Sequence, residues 1–157
     1  MGRQEGLAGL NGAEVVAMLG LEPLAEEGGM WREVWRDERS TAIYFLIQPG
    51  DFSAMHRLDR PELWHYYCGA GVKMLLLGPD GAVDRPVLGV DLAAGERPCV
   101  VVPAHTWMGA STRGEWSLVG TTMAPPYHHE GFELGDADQL IEQYPGAAAE
   151  IAGLVRS

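Results

Sequence analysis

The sequence predicts an all-β domain, a sandwich or closed barrel of short strands with a short helix at either end. From Met30 onward, apolar and aromatic residues come in short runs separated by turn-forming stretches such as PGD, GPDG and AAGE. Helix signals stand only near the two termini. With 157 residues, the chain can bury one sizeable core but is too short for two ordinary domains. Residues 1–157 are therefore read as a single domain.

The elements follow in order. Asn11, with Glu14 three residues on, has the pattern of a helix N-terminus, and Val15, Val16 and Leu19 give the apolar spacing of a short helix ending near Gly20. The strand-like runs are MWREVW, TAIYFLI, FSAMHRL, ELWHYY, VKMLLL, PVLGVDL, CVVVP and WSLVGTTM, a succession that suits a sandwich or barrel. A last helix is expected from Asp136 through Tyr144, stopped by Pro145 and Gly146, with an alanine-rich turn after it. No internal repeat, low-complexity tract or linker-like run breaks the chain.

Charge narrows the partners. Acidic residues outnumber basic ones 22 to 11, the formal charge is −11, and Lys73 is the single lysine, so the field repels polyanions. Nucleic acid and anionic membranes are not expected partners. The N-terminal stretch MGRQEGLAGLNGAEVVAML lacks the apolar core and cleavage site of a signal peptide, and no apolar run reaches membrane-spanning length. A cytoplasmic location is the expectation. Cys68 and Cys99 lie in apolar strand-like runs without a CxxC pattern, and each is read as a small buried thiol.

One stretch concentrates chemistry: GDFSAMHRLDRPELWHYYCG, in which Gly50, His56, Glu62 and Gly69 stand at the spacing of a known motif. It resembles the first motif of the cupin superfamily. GERPCVVVPAHTWM, from Gly95 to Met108, occupies the place of the second motif, and EEGGMWREVW, STAIYFLI, VPAHTW and LVGTTMAPPYHHEGFELGD resemble one branch of that superfamily whose members are mostly of undetermined function. The likeness runs from about Leu19 to Leu140. It implies a cupin jelly-roll barrel with short N- and C-terminal helices, and a homodimer paired through sheet edges and exchanged N-terminal strands. The tryptophans of MWREVW, Trp31 and Trp35, fit a strand whose edge needs covering.

The departures from the family pattern bear on metal. Where metal-binding cupins carry a second histidine two residues after the first, this chain has Leu58; the histidine of the second motif falls on Met108, and its glycine on His105. His56 and Glu62 remain, too few for a closed or facial-triad site. No resident metal or cofactor is therefore expected.

Strand alternation sorts the candidate site residues. Phe52, Ala54, His56 and Leu58 share one face, as do Glu62, Trp64 and Tyr66; His65 should point away from both sets. His56 and Glu62 are the candidate catalytic pair, a hydrogen-bonded imidazole and carboxylate suited to proton transfer near neutral pH. The alternative is a buried pair that only satisfies itself. Tyr44, Trp64, Tyr66, Trp107 and Met108 are the candidate ligand-binding wall, with ordinary core packing as the alternative for the aromatics. Tyr127, His128 and His129 follow Pro125 and Pro126 in a loop near the end of the last strand; such loops often carry function, but the two adjacent histidines are read as solvated surface.

Three functions stay open. The first is a metal-independent enzyme of the epimerase or isomerase type acting on a small polar metabolite; sugar-nucleotide epimerases share the cupin fold and use a histidine, a carboxylate and a tyrosine, although their residues do not map one by one onto this chain. The second is a ligand-binding or sensor domain without turnover. The third is a metal-dependent oxygenase or lyase in which His65 or His105 completes a site with His56 and Glu62.

Overall fold

The computed structural model describes residues 6–156; residues 1–5, part of the stretch read as lacking a leader, and Ser157 lie outside the described residues. Helix α1 (Gly12–Leu19) opens with the expected capping box: the Asn11 side chain accepts from the Glu14 amide at 2.9 Å, and the Glu14 carboxylate accepts from the Asn11 amide at 3.3 Å. Gly20 closes it in the left-handed region, at φ 66°. Val15 anchors the helix among Leu21, Leu46, Trp116 and Leu118 on the outside of the barrel.

Twelve strands follow: β1 (Glu22–Pro23), β2 (Met30–Arg36), β3 (Thr41–Ile47), β4 (Ser53–Leu58), β5 (Glu62–Gly69), β6 (Val72–Leu77), β7 (Val83–Asp84), β8 (Val87–Leu88), β9 (Cys99–Val102), β10 (Trp107–Thr112), β11 (Ser117–Met123) and β12 (Phe132–Leu134). One six-stranded sheet has the order β1-β2-β3-β11-β5-β9; the other runs β12-β4-β10-β6-β7, with β8 also on β6. All of these pairings are antiparallel. The two sheets face each other as a jelly roll, with alternate side chains of each turned inward.

The packing is uneven along the barrel. Ile47, Val72, Met74, Leu88 and Ala110 fill one end with apolar side chains, and Phe45, Trp64 and Met108 continue that packing up to the site. The other end gathers the beginnings of β3 and β5 and the ends of β4 and β11, where the site lies. Helices α2 (Ala137–Gln143) and α3 (Ala148–Ala152) cover the outside of the second sheet, burying Leu140, Tyr144, Ala147 and Ile151 against Met55, Leu75, Leu77 and Trp107. Asp136 caps α2 by accepting from the Gln139 amide at 3.0 Å.

Several local expectations are corrected. PVLGVDL is not one strand: β8 keeps only Val87 and Leu88, and the chain turns at Gly89, where Glu96 packs against a position with no room for a side chain. β10 and β12 were not expected as strands. β10 follows a turn in which His105 takes φ 65°, and β12 is only three residues long, formed by pairing with the end of β4. Neither cysteine is fully buried: Cys68 is half-buried and Cys99 exposed, because β9 is an edge strand whose alternate residues, Cys99 and Val101, face outward. Among the described residues no helix is long and apolar enough to cross a membrane.

Candidate functional site

A cavity of about 330 Å³ opens at the less densely packed end of the barrel. Leu24, Ile43, Leu58 and Met123 give it an apolar floor, Trp31, Tyr127 and Phe132 give it aromatic walls, and Glu26, Glu27, Glu33, His56, Glu62 and His129 bring titratable groups to its surface. Its volume suits a small metabolite.

His56 sits near the end of β4 on the inward face and is almost completely buried, at 2% exposure. Its Nδ1 donates to the Ala54 carbonyl at 2.7 Å and its Nε2 to Glu27 Oε1 at 2.8 Å. With an acceptor on each nitrogen, the ring is held as the imidazolium. Burial alone pulls the imidazole down, but the Glu27 carboxylate, by charge and by hydrogen bond, overrides it and raises His56 to about 9. Ser53 Oγ donates to the same Glu27 oxygen at 3.1 Å, so the carboxylate is anchored twice.

The loop before β2 explains how Glu27 reaches the barrel. Glu26, Gly28 and Gly29 all take positive φ, at 68°, 93° and 78°, so the chain coils tightly enough to turn two successive glutamates toward the cavity. A side chain at Gly29 would run into the Phe45 ring, and one at Gly28 into Phe52 and Arg156. The Gly29 amide donates to Asp51 Oδ2 at 2.9 Å and the Ala54 amide to the Glu27 carbonyl at 2.8 Å. Arg156, from the far end of the chain, donates to the Glu27 carbonyl at 2.7 Å and the Phe52 carbonyl at 2.8 Å, and pairs with Asp51.

Glu62 enters from the start of β5. Trp64, two residues on and so on the same face, donates its indole N–H to Glu62 Oε1 at 2.9 Å, and the Thr121 hydroxyl supports the carboxyl from β11. Burial raises this carboxyl and the Glu27 charge adds to the effect; His56, Trp64 and Thr121 oppose it, and the group titrates at about 7. The Glu62 carboxyl therefore changes charge near neutral pH, close to the His56 imidazolium.

Phe132, on β12, stacks on His56 with ring centroids 5.5 Å apart and on His129 at 5.9 Å. His129 Nδ1 lies 3.2 Å from the Tyr127 hydroxyl. Burial and the nearby glutamates push the Tyr127 phenol up to about 12, so it enters the cavity as a neutral O–H.

The placement of the candidates differs from the sequence reading in several respects. His56 and Glu62 both face the cavity, but the hydrogen-bonded partner of His56 is Glu27, and Glu62 acts on it through space. Tyr44, Trp64, Tyr66, Trp107 and Met108 all lie outside the cavity lining. Tyr44 is on the outward face of β3, edge to face with Tyr67. Trp64 and Met108 are buried in the core, Trp64 touching the site only through Glu62. The Tyr66 hydroxyl donates to the Gly69 carbonyl at 2.7 Å, away from the site, and Trp107 faces α2 and α3, with Arg57 over its ring. Alternation along a strand says which face a side chain takes but not which end of the barrel it occupies.

The loop after β11 also departs from expectation. Tyr127 and His129 line the cavity, because the chain folds back to form β12 against β4; only His128 turns outward, 2.9 Å from both Asp59 oxygens. Glu27 was not among the expected site residues. The signal available for it was the pair EEGG, two acids before two glycines, but nothing local says that such a loop folds into a barrel rather than over it.

The donor set does not fit a transition-metal ion. Both His56 nitrogens already face acceptors, Leu58 and Met108 stand where further histidines would be needed, and His65 points away, its Nε2 at 2.8 Å from Thr122 Oγ1. His105 lies outside the cavity lining. Among the described residues no three His, Cys, Asp or Glu side chains are grouped so as to hold a metal.

Comparison with known proteins agrees with this architecture. The family model described as Cupin superfamily (DUF985) matches residues 13–135. A protein of known crystal structure from Shewanella oneidensis shares 33% identity, with a TM-score of 0.88 over 94% of this chain and 98% of its own. A hypothetical protein from Leishmania major shares 25% identity, with a TM-score of 0.87 over 94% of this chain and 100% of its own. Oxalate decarboxylase from Bacillus subtilis, at 13% identity and a TM-score of 0.60 over 85% of this chain and 37% of its own, shows likeness of fold alone. No curated protein matches the chain.

Proposed function

The chain belongs to the DUF985 family of the cupin superfamily, and from that premise we propose that its cavity carries out metal-independent proton transfer on a small polar metabolite, of the epimerase or isomerase type. Glu62 takes a proton from a carbon made acidic by a neighbouring carbonyl and returns it to the same carbon, or to the former carbonyl carbon while the hydroxyl proton of the first carbon passes to the former carbonyl oxygen. The His56 imidazolium, held by Glu27 and Ala54, offsets the negative charge that develops meanwhile, and the Tyr127 hydroxyl, on the same cavity lining, donates a hydrogen bond to it. No oxidant or reductant is needed, since the proton removed is the proton returned or one exchanged with water. The observation that carries this reading is the buried Glu62 carboxyl facing a cavity that opens at the end of the barrel, beside a buried imidazolium.

A ligand-binding domain without turnover is the second reading. It is favoured by the engagement of both His56 nitrogens, which leaves that ring no proton to exchange without breaking a hydrogen bond.

Solvent exchange separates the two. Chelator-treated protein in deuterium oxide, incubated with a panel of small aldoses, ketoses, oxo acids and their amine-bearing counterparts such as amino sugars and amino ketones, is expected to replace a carbon-bound hydrogen of at least one compound, read by proton NMR. Glu62→Gln should slow that exchange by roughly 100-fold or more, the usual range for loss of a general base. Exchange by the native protein that Glu62→Gln leaves unchanged, or no exchange with any compound, would retire the catalytic reading.

A further inference from the structure

The cavity has a charge pattern that selects its ligand. Glu26, Glu27, Glu33 and Glu62 line it, and among the described residues neither Arg nor Lys does. The described groups at hand that can carry a positive charge are already engaged: the His56 charge is matched by Glu27 at 2.8 Å, Arg36 donates to Glu33 at 3.1 Å and to the Tyr127 carbonyl at 2.9 Å, and His129 Nδ1 faces the Tyr127 hydroxyl at 3.2 Å. Among the described residues Glu26 and Glu62 form no ion pair. The surplus at the cavity surface is therefore negative, in a molecule whose overall charge is already −11.

We infer that the ligand is a small organic cation, a metabolite carrying a protonated amine. This rests on reading the cavity as the ligand site. The amine would donate to the glutamates left without a counter-charge, Trp31 and Tyr127 would present ring faces to the positive group, and Leu24, Ile43, Leu58 and Met123 would cover the carbon skeleton. An anion such as oxalate or a sugar phosphate would meet carboxylates with no guanidinium or ammonium among the described lining residues to receive it. The likeness of fold to oxalate decarboxylase thus does not extend to the charge this cavity accepts.

Calorimetry at pH 7 with three matched sets of compounds tests this: tetramethylammonium against tert-butanol and pivalate, ethanolamine against ethylene glycol and glycolate, and glucosamine against glucose and glucuronate. In at least one set the cation is expected to bind tenfold or more tightly than both counterparts. Combining Glu26→Gln with Glu33→Gln, two positions outside the proposed proton transfer, should reduce that preference at least tenfold while the far-ultraviolet circular dichroism stays that of the native chain. If the double variant does not fold, the preference in the native protein still decides. Equal binding within every set, preference for the neutral or anionic members, or silence from all nine compounds would overturn the inference, as would a preference that a folded double variant retains. Cation preference without solvent deuterium exchange would end the catalytic reading and leave the ligand class standing; exchange confined to neutral or anionic compounds would do the reverse.

Discussion

Glu62 titrates at about 7 and His56 at about 9, each above its ordinary value, and both shifts tie stability to pH in the same direction. The folded chain holds the Glu62 proton more tightly than the unfolded chain does, so stability falls as pH rises from about 4.5 toward 7. For His56 the contribution is complete below about 6.5 and is lost as pH rises through 9. Each shift corresponds to about 3 kcal/mol, and because the two groups feel one another the effects do not simply add. Denaturant melts are expected to show lower stability at pH 9 than at pH 5. Glu62→Gln, which removes the cost of ionising a buried carboxyl, should be more stable than the native chain at pH 8 by about 1 to 3 kcal/mol. A variant less stable than the native chain at that pH would mean that Glu62 is a structural ion. His56 and Glu62 were legible as a pair because the motif spacing and strand alternation both turn them inward. Glu27 was not, since its role depends on a loop folding across the barrel mouth and on Arg156, which lies far off in sequence.

The loop from Leu24 to Gly29 is the element on which the site depends. Gly29 has a positive φ and no space for a side chain beside Phe45. Gly29→Ala is expected to destabilise the fold by about 2 to 4 kcal/mol through backbone strain and overpacking together. It should also lower the His56 pKa by loosening Glu27, a change visible in an NMR titration. A variant with the native melting point and an unmoved His56 would show that the loop does not place Glu27. Most of the strand runs were readable, as in β3, β6 and β11, because continuous apolar runs bounded by turns have few alternatives. β10 is less so, since its GAST segment lacks large apolar side chains and becomes a strand only by lying between β4 and β6. β12 owes its existence to pairing with β4, which no local pattern encodes.

At the scale of the whole molecule, Val34 and Trp35 stand about half exposed on β2, beyond which only the two-residue β1 pairs. An apolar edge of this kind calls for covering, and the family likeness implies pairing of two chains there. Light scattering at micromolar concentration is expected to return about twice the 17.0 kDa of one chain; a monomer mass would show that the edge is tolerated uncovered. In the protein purified without an affinity tag, the barrel is expected to hold the His56 imidazolium where metal-binding cupins hold a metal ligand. Nitrogen-15 NMR of His56 at pH 7, recorded with a chelator and again with equimolar zinc or manganese, tests this directly. Both ring nitrogens should be protonated, and their signals should be the same in all three samples. An unprotonated nitrogen whose signal moves or broadens when metal is added would mean that His56 is a metal ligand instead.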